Sequence, residues 1–202
     1  MRPPPRVVTI AVIALALFAL SFLGDSWTYH HIHMAKVYDT DWGRALRSVG
    51  YWPLWIAIAA ALWLHDRTPR RAAYVAASVS AAGLLGEILK IVIRRDRPSA
   101  ADGAYVFRAW SVHPFSSAGF GMPSSHALIA FSAAAALATL YPRATIIWYA
   151  LAIGCAITRL LAGAHFLSDV LAGAIIGVTV SLSLRARLLS SPAPESSPAI
   201  QM

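Results

Sequence analysis

Six apolar stretches alternate with shorter polar segments along this chain, and they cover residues 7–24, 49–64, 72–93, 126–141, 144–161 and 169–184. A helix needs about 20 apolar residues to cross the hydrocarbon core of a bilayer, with a range of roughly 17–25. The apolar residues are continuous rather than alternating, which favours helices over a β-barrel. The pattern therefore predicts an all-α, polytopic membrane bundle of six transmembrane helices, of which the second and fourth are short.

The two ends of the chain differ from this pattern. Residues 190–202 are rich in Ser and Pro and predict a disordered tail, so residues 1–189 are expected to form a single membrane domain. Arg2 and Arg6 precede the first apolar stretch, as in a secretory signal. That stretch is longer than the usual apolar core of a signal, roughly 7–15 residues, so we expect it to remain as the first span. Residues 25–48 are expected to be a polar loop with room for a short interfacial helix.

The composition agrees with a membrane protein. The chain is 58% hydrophobic and 13% charged, with a mean hydropathy of +0.60, which is too apolar for a soluble domain of this size. The net charge of +8 raises the question of nucleic-acid binding. The basic residues are scattered among the spans instead of forming a stripe on a soluble module, so we expect no nucleic-acid partner. Cys155 is the only cysteine, so no disulfide can form within the chain.

Orientation is predicted from the lengths of the polar segments. Counts of Lys and Arg on the two sides are nearly equal, but the basic residues on the side of the N-terminus lie in shorter segments. Short segments are where the positive-inside rule operates. We therefore expect a multi-pass inner-membrane protein with both termini in the cytoplasm.

Three polar clusters stand at the ends of the apolar stretches, at residues 90–98, 123–126 and 159–169. Ionisable groups next to apolar spans are costly and usually serve a function. If six spans alternate, all three clusters emerge on one face of the membrane, and with the N-terminus inside that face is the periplasmic one. The order of the spans therefore predicts a single polar pocket.

The first cluster holds the cations Lys90 and Arg97, which share a helix face if the helix continues to Arg97. An arginine fork binds two phosphate oxygens and a lysine adds a point charge. The alternative is a basic helix end whose side chains extend to the lipid headgroups. Arg94 and Arg95 are either supporting or interfacial, and Glu87 is expected to neutralise Lys90.

The second cluster, Ser124, Ser125 and His126, opens the fourth span. Hydroxyls and free N–H groups at a helix start can receive phosphate oxygens, and His126 can donate a proton to a leaving oxygen. The alternative is ordinary capping by Ser124 or Ser125. Capping and phosphate binding are compatible.

In the third cluster, Thr158 and Arg159 precede His165 and Asp169. A helix would place His165 and Asp169 on one face, four residues apart. A carboxylate on one ring nitrogen would fix the tautomer and leave the other nitrogen free to attack. A local structural pair is the alternative, although Arg159 adds a third cation to the same region.

These three motifs, Lys-x6-Arg-Pro, Pro-Ser-Ser-His and Thr-Arg-x5-His-x3-Asp, resemble those of the type 2 phosphatidic acid phosphatase superfamily. The resemblance implies that His165 is the nucleophile that forms a phosphohistidine, that Asp169 orients it, and that His126 is the general acid. It also implies a phosphate site made of Lys90, Arg97, Ser124, Ser125 and Arg159. The family usually has glycine where Ser125 stands, so Ser125 either crowds the phosphate or adds a hydroxyl contact.

No metal or other cofactor is expected. Three cations and helix-start N–H groups can stabilise the charge that metals stabilise in other phosphoryl transfers. The sequence has no carboxylate cluster typical of a two-metal site. His30, His31 and His33 lack a clear fourth ligand and are interpreted as an exposed interfacial segment.

The resemblance implies a membrane phosphatase that acts on a lipid phosphate or diphosphate, with membrane lipids around it. Undecaprenyl diphosphate, phosphatidic acid, phosphatidylglycerol phosphate and lipid A phosphate fit equally well. The alternatives are a lipid phosphotransferase with the same site and a non-enzymatic lipid-binding protein. A decayed site would have lost His126, His165 or Asp169, and all three are present. Five loop aromatics either line lateral access for the lipid chain or anchor at the interface: Tyr105, Phe107, Trp110, Phe115 and Phe120.

Overall fold

The computed structural model describes residues 5–66 and 69–189. This part of the chain folds into seven α-helices without a β-sheet, which confirms the predicted all-α class. The helices are α1 (Pro5–Ile32), α2 (Asp41–Ser48), α3 (Trp52–Asp66), α4 (Pro69–Ile93), α5 (Ser125–Leu140), α6 (Thr145–Leu161) and α7 (Leu167–Leu189). The predicted disordered tail, residues 190–202, lies outside the described residues.

The number of membrane crossings differs from the predicted six. Four helical segments of the described chain are long and apolar enough to cross a membrane, namely Val7–Ile32, Pro69–Ile93, Pro142–Leu161 and Leu167–Leu189. Helices α2 and α3 reach the required length only together, and a bend of 63° separates them. Helix α5 is apolar but has only 16 residues. Length and composition therefore support four spans, or five with the bent pair, and the predicted second and fourth spans are the ones not confirmed.

The first helix is longer than its apolar stretch, and the expectation of a loop from residue 25 is wrong. Helix α1 continues to Ile32 through Asp25, whose side chain is 1% exposed. The Asp25 carboxylate accepts hydrogen bonds from other parts of the chain, so its charge does not force the helix to end. The short helix that this segment had room for is α2, where Thr40 Oγ1 accepts the Gly43 N–H at 3.2 Å.

Helix α5 occupies the centre of the bundle, against α4, α6 and α7. Seven of its 16 residues are alanine, so neighbouring backbones can approach closely. A Cβ atom at Gly173 of α7 would lie 2.7 Å from the Ser124 carbonyl oxygen, and one at Gly177 would lie 2.3 Å from that of Leu128. These two glycines therefore let the start of α7 lie directly against the start of α5.

The loop after α4 folds back over the end of the bundle where α5 and α7 start. Helix α4 ends at Ile93, and Arg94 adopts a left-handed φ of 57°. The guanidinium of Arg94 donates to the carbonyl oxygens of Arg108, Ala109, Val112 and Pro114 at 2.5–3.3 Å. These bonds hold the turn, so the helix does not continue to Arg97. The predicted shared helix face of Lys90 and Arg97 is therefore wrong.

Candidate active site

The three polar clusters meet at one end of the bundle, as the order of the spans predicted. The Ser124 N–H donates to the Asp169 carbonyl oxygen at 3.0 Å, which joins the second cluster to the third. The Gly121 N–H donates to the Arg95 carbonyl oxygen at 2.7 Å, which joins the second to the first. The resulting pocket lies between the ends of α4 and α6 and the starts of α5 and α7.

His165 is buried in this pocket, two residues before α7. Its Nδ1 lies 2.9 Å from the Gly121 carbonyl oxygen and 3.5 Å from Asp169 Oδ2. Both neighbours are acceptors, so they assign the proton to Nδ1 and leave a lone pair on Nε2. Burial lowers the pKa of His165 to about 4, although Asp169 acts in the opposite direction. The ring is therefore neutral near pH 7 and has a nucleophilic nitrogen.

Asp169 reaches His165 from the first turn of α7. Its Oδ2 accepts the Phe166 N–H at 2.9 Å, and its Oδ1 accepts a hydrogen bond from Arg95. A Cβ atom at Gly121 would lie 2.7 Å from Asp169 Oδ2, so this position needs a glycine. His165 precedes α7 and Asp169 lies in its first turn, so the two residues do not share a helix face as predicted.

Arg97 and Arg159 are cations without a carboxylate partner anywhere in the described chain. Arg159 is only 4% exposed, its guanidinium donates to the Tyr38 hydroxyl, and its Nε has no hydrogen-bond partner. The Nε of Arg97 is likewise buried and without a partner. Both charges act on His165. Burying a cation without a counter-charge is costly, so this arrangement favours an anionic ligand.

Lys90 and Ser125 share an internal partner, Glu87. Lys90 Nζ lies 3.0 Å from Glu87 Oε1, as the sequence predicted, and Ser125 Oγ donates to the same oxygen at 2.8 Å. Ser117 Oγ donates to Glu87 Oε2 at 2.6 Å. Ser125 opens α5 without a positive φ, so its backbone does not need a glycine.

Ser124 and His126 form the start of α5. Ser124 is completely buried and caps the helix, since its Oγ accepts the Ala127 N–H at 3.5 Å. The charges of Arg159, His165 and Lys90 act on His126, which places the two histidines in one electrostatic environment. A Cβ atom at Gly50 would lie 2.7 Å from His126 Cβ, so the turn between α2 and α3 packs directly against this residue.

Three residues of the site were missed or left undecided by the sequence pattern. Tyr38 orients Arg159, and Arg95 and Asp25 lie behind Asp169. The sequence could have indicated a buried partner for Asp25, because an acidic side chain directly after a membrane-length apolar run is costly unless it is paired. Tyr38 carried no such signal, since tyrosines are common at membrane interfaces.

His30, His31 and His33 lie at the end of α1 and just beyond it. Across residues 5–66 and 69–189, no three His, Cys, Asp or Glu side chains are grouped so that they could hold a metal ion. His31 Nδ1 instead lies 2.9 Å from the Trp27 carbonyl oxygen, and its ring stacks on that of Trp27.

Comparisons with known proteins identify relatives. The family model of the PAP2 superfamily matches residues 71–188, which is more than half of the chain. A lipid A 1-phosphatase of Rhizobium johnstonii is 39% identical over 112 residues, covering 54% of this chain and 45% of that protein. A lipid A 1-phosphatase of Rhizobium etli is 37% identical over 133 residues, covering 62% of this chain and 56% of that protein. The chain thus spans about half the length of these relatives. No solved structure matches it.

Proposed function

The chain belongs to the PAP2 superfamily, and on this premise we propose that it is a membrane phosphatase that hydrolyses a lipid phosphate or diphosphate. One observation carries the proposal. His165 is buried with a free Nε2, beside two arginines that lack a carboxylate partner in the described structure. A phosphate would supply the missing negative charge and place its phosphorus next to the imidazole.

In the first step, His165 Nε2 attacks phosphorus while the bond from phosphorus to the leaving oxygen breaks. The electron pair of that bond goes to the lipid oxygen, which takes a proton from His126. Arg97 and Arg159 stabilise the charge on the equatorial oxygens. Asp169 stabilises the cationic ring through the proton on Nδ1. The product is a phosphohistidine and a lipid with one phosphoryl group fewer.

In the second step, water attacks the phosphohistidine and His126, now neutral, accepts a proton from that water. The bond from nitrogen to phosphorus breaks, its electron pair returns to Nε2, and inorganic phosphate leaves. Lys90 binds phosphate with the donors that Glu87 leaves available. Ser124 and Ser125 form the start of α5, whose free N–H groups bind phosphate oxygens. The charge is balanced by side chains, so the mechanism needs no metal.

We further propose that residues 1–189 form one domain with six membrane crossings. Helices α2 and α3 act as one bent span, and α5 spans despite its length because α4, α6 and α7 surround it. The pocket then faces the periplasm and both termini lie in the cytoplasm. Thiol labelling of intact cells tests this in a Cys155→Ala background. Asp102→Cys should react with a membrane-impermeant reagent, and Arg143→Cys should react only after permeabilisation. The reverse pattern would overturn the orientation.

The names of the relatives support a substrate class. The Rhizobium relatives are named lipid A 1-phosphatases, and we propose a phosphorylated lipid of this kind for the present chain. Purified full-length protein should be assayed for phosphate release from lipid A phosphate, undecaprenyl diphosphate, phosphatidic acid and phosphatidylglycerol phosphate. Transfer to a second lipid, followed with a labelled phosphate, would indicate the phosphotransferase instead. Binding without turnover of any lipid would favour a lipid-binding protein.

The site assignment has a matched test in two histidines. His165→Ala should abolish phosphate release, by about 10⁴-fold or more, because no other group in the pocket replaces the nucleophile. His30→Ala should leave the rate unchanged. Equal loss from both variants would overturn the assignment. Activity should also persist in EDTA, and a strict requirement for a divalent metal would contradict the mechanism.

A further inference from the structure

Behind Asp169 lie two charges that the phosphatase mechanism does not use. They are Asp25 of α1 and Arg95 in the loop after α4, and together with Asp169 we call them the charged triad. Asp25 and Arg95 are each 1% exposed and Asp169 is completely buried. The triad brings residues from three separate parts of the sequence together at the back of the imidazole.

Arg95 connects the two carboxylates. Its guanidinium donates to Asp169 Oδ1 and, at 2.7 Å, to the Ser168 hydroxyl. Its other terminal nitrogen lies 3.8 Å from Asp25 Oδ2. Arg95 therefore holds Asp169 directly and is itself held within reach of a second negative charge.

Asp25 is fully supplied with donors. Its Oδ1 accepts the Ser168 N–H at 2.7 Å, and its Oδ2 accepts hydrogen bonds from the Ser168 hydroxyl and, at 2.7 Å, from Tyr105. These donors satisfy both oxygens of the carboxylate. The Oδ2 of Asp25 also faces Arg95 from α1.

Aromatic rings surround the triad. The Arg95 guanidinium carbon lies 4.9 Å from the ring centre of Phe166, 5.1 Å from that of Tyr105 and 5.6 Å from that of Phe22. These rings exclude water, and charges act on one another more strongly where water is excluded. A change in any member of the triad should therefore be felt at Asp169.

Charges of opposite sign act on His165. Beside its Nδ1, two carboxylates and one guanidinium give the triad a formal net negative charge. Arg97 and Arg159 add positive charge that acts on the same ring, and the charge of Arg159 also acts on His126. Negative charge beside Nδ1 suits a nucleophile whose ring becomes cationic when its free nitrogen attacks an anion.

We propose that Arg95 and Asp25 are positioning residues that act on His165 through Asp169. Arg95 fixes the carboxylate that orients the imidazole, and Asp25 offsets the charge of Arg95 so that Asp169 remains a strong acceptor for the Nδ1 proton. The inference rests on the proposed function, in which His165 is the nucleophile. The competing explanation is that the triad only ties α1 to α7.

A double-mutant cycle separates these explanations. Asp25→Asn leaves Asp169 alone to offset the charge of Arg95 and should lower kcat about 10-fold. Arg95→Met leaves two buried carboxylates without a cation, so that they compete for one proton, and should lower kcat about 100-fold. Asp25→Asn combined with Arg95→Met leaves Asp169 as a single carboxylate, and should be about tenfold more active than Arg95→Met alone. KM should stay within about twofold throughout, because the triad does not touch the phosphate.

A purely structural tie predicts that each loss of kcat follows a loss of thermal stability and disappears at a temperature where the variant is folded. A double variant less active than Arg95→Met, or losses confined to KM, would overturn the inference. The exposed pair Asp41 and Arg44 serves as a matched control at α2. Asp41→Asn and Arg44→Met, alone and together, should leave kcat unchanged. Thermal unfolding in detergent identifies any variant that loses activity by unfolding.

A second measurement does not depend on turnover. The Nδ1 proton of His165 can be observed by NMR in full-length protein labelled with ¹⁵N-histidine and assigned by its loss in His165→Ala. Its resonance should move upfield in Asp25→Asn, because the acceptor weakens, and return downfield in the double variant. An unchanged resonance would overturn the coupling. If the wild-type protein hydrolyses no lipid but the resonance moves as expected, the proposed function fails and the coupling stands.

Discussion

Two pairs of arginines at the site use the same kind of side chain in different ways. Arg95 and Arg94 are held by carboxylates and carbonyl oxygens of the protein itself. Arg97 and Arg159 have no carboxylate partner in the described residues. A buried cation whose partners are all internal stabilises or positions, whereas one without a counter-charge is available to an anionic ligand. The groups that contact a buried cation therefore indicate whether it stabilises the fold or binds a ligand.

Of the variants that test this comparison, we expect the largest effect from those of the two cations that lack a carboxylate partner. Arg159→Met and Arg97→Met should each lower kcat/KM about 10²–10³-fold, because each removes charge stabilisation of the transferring phosphoryl group. Thermal stability should be unchanged or higher, since a costly buried charge is lost. Phosphate release and unfolding in detergent check both statements, with Arg143→Met at the opposite end of α5 as control. Arg159→Met with full activity and lower stability would reverse the comparison.

The internal cation Arg94 should show the reverse pattern. Arg94→Lys loses the planar fork that binds four carbonyl oxygens and should lower the free energy of unfolding by about 3 kcal/mol. At a temperature where the variant is folded, kcat should stay within a few-fold of wild type. Thermal denaturation and phosphate release measure the two quantities. If Arg94→Lys lowered kcat without lowering stability, Arg94 would instead bind the ligand, as proposed for Arg97 and Arg159.

The pH dependence tests whether burial or the Asp169 carboxylate dominates the pKa of His165. With a pKa lowered to about 4, the ring loses its proton well below neutrality, and only the neutral ring is nucleophilic. At pH 5 we expect roughly 90% of the free enzyme to hold a neutral His165, against roughly 3% for a pKa of 6.5. The acidic limb of kcat/KM that reports protonation of the nucleophile should therefore lie near pH 4. An acidic limb near 6.5 would show that burial does not dominate.

The smallest effect concerns Ser125. Ser125→Gly removes the hydroxyl that Glu87 accepts but leaves the Lys90–Glu87 pair, so kcat/KM should change by no more than about threefold. Glu87→Gln, which also weakens the neutralisation of Lys90, is the comparison variant and should have the larger effect. Inactivation by Ser125→Gly would show that the hydroxyl binds the phosphate rather than Glu87.

Much of the pocket was predictable because it depends on short-range patterns. Apolar stretches mark the helices, and their order places residues 90–98, 123–126 and 159–169 at one end of the bundle. The Lys90–Glu87 pair followed from a spacing of three on one helix. The predictions that depended on where a helix ends did less well. Helix α4 stops before Arg97 and α7 starts after His165, because loop carbonyls and capping groups compete with the helix for the same donors.

The sequence by itself determined the all-α class, the motif residues and their meeting at one end of the bundle, since hydrophobic run length and helix order are local properties. The motif already singled out Arg97, but only the tertiary structure distinguished Arg94 from Arg95, which are adjacent and chemically identical. Their partners come from the loop, from α1 and from α7, and the loop folds over the site while Gly173 and Gly177 bring α7 against α5. A charge buried away from water takes its function from the groups around it, and distant segments supply those groups.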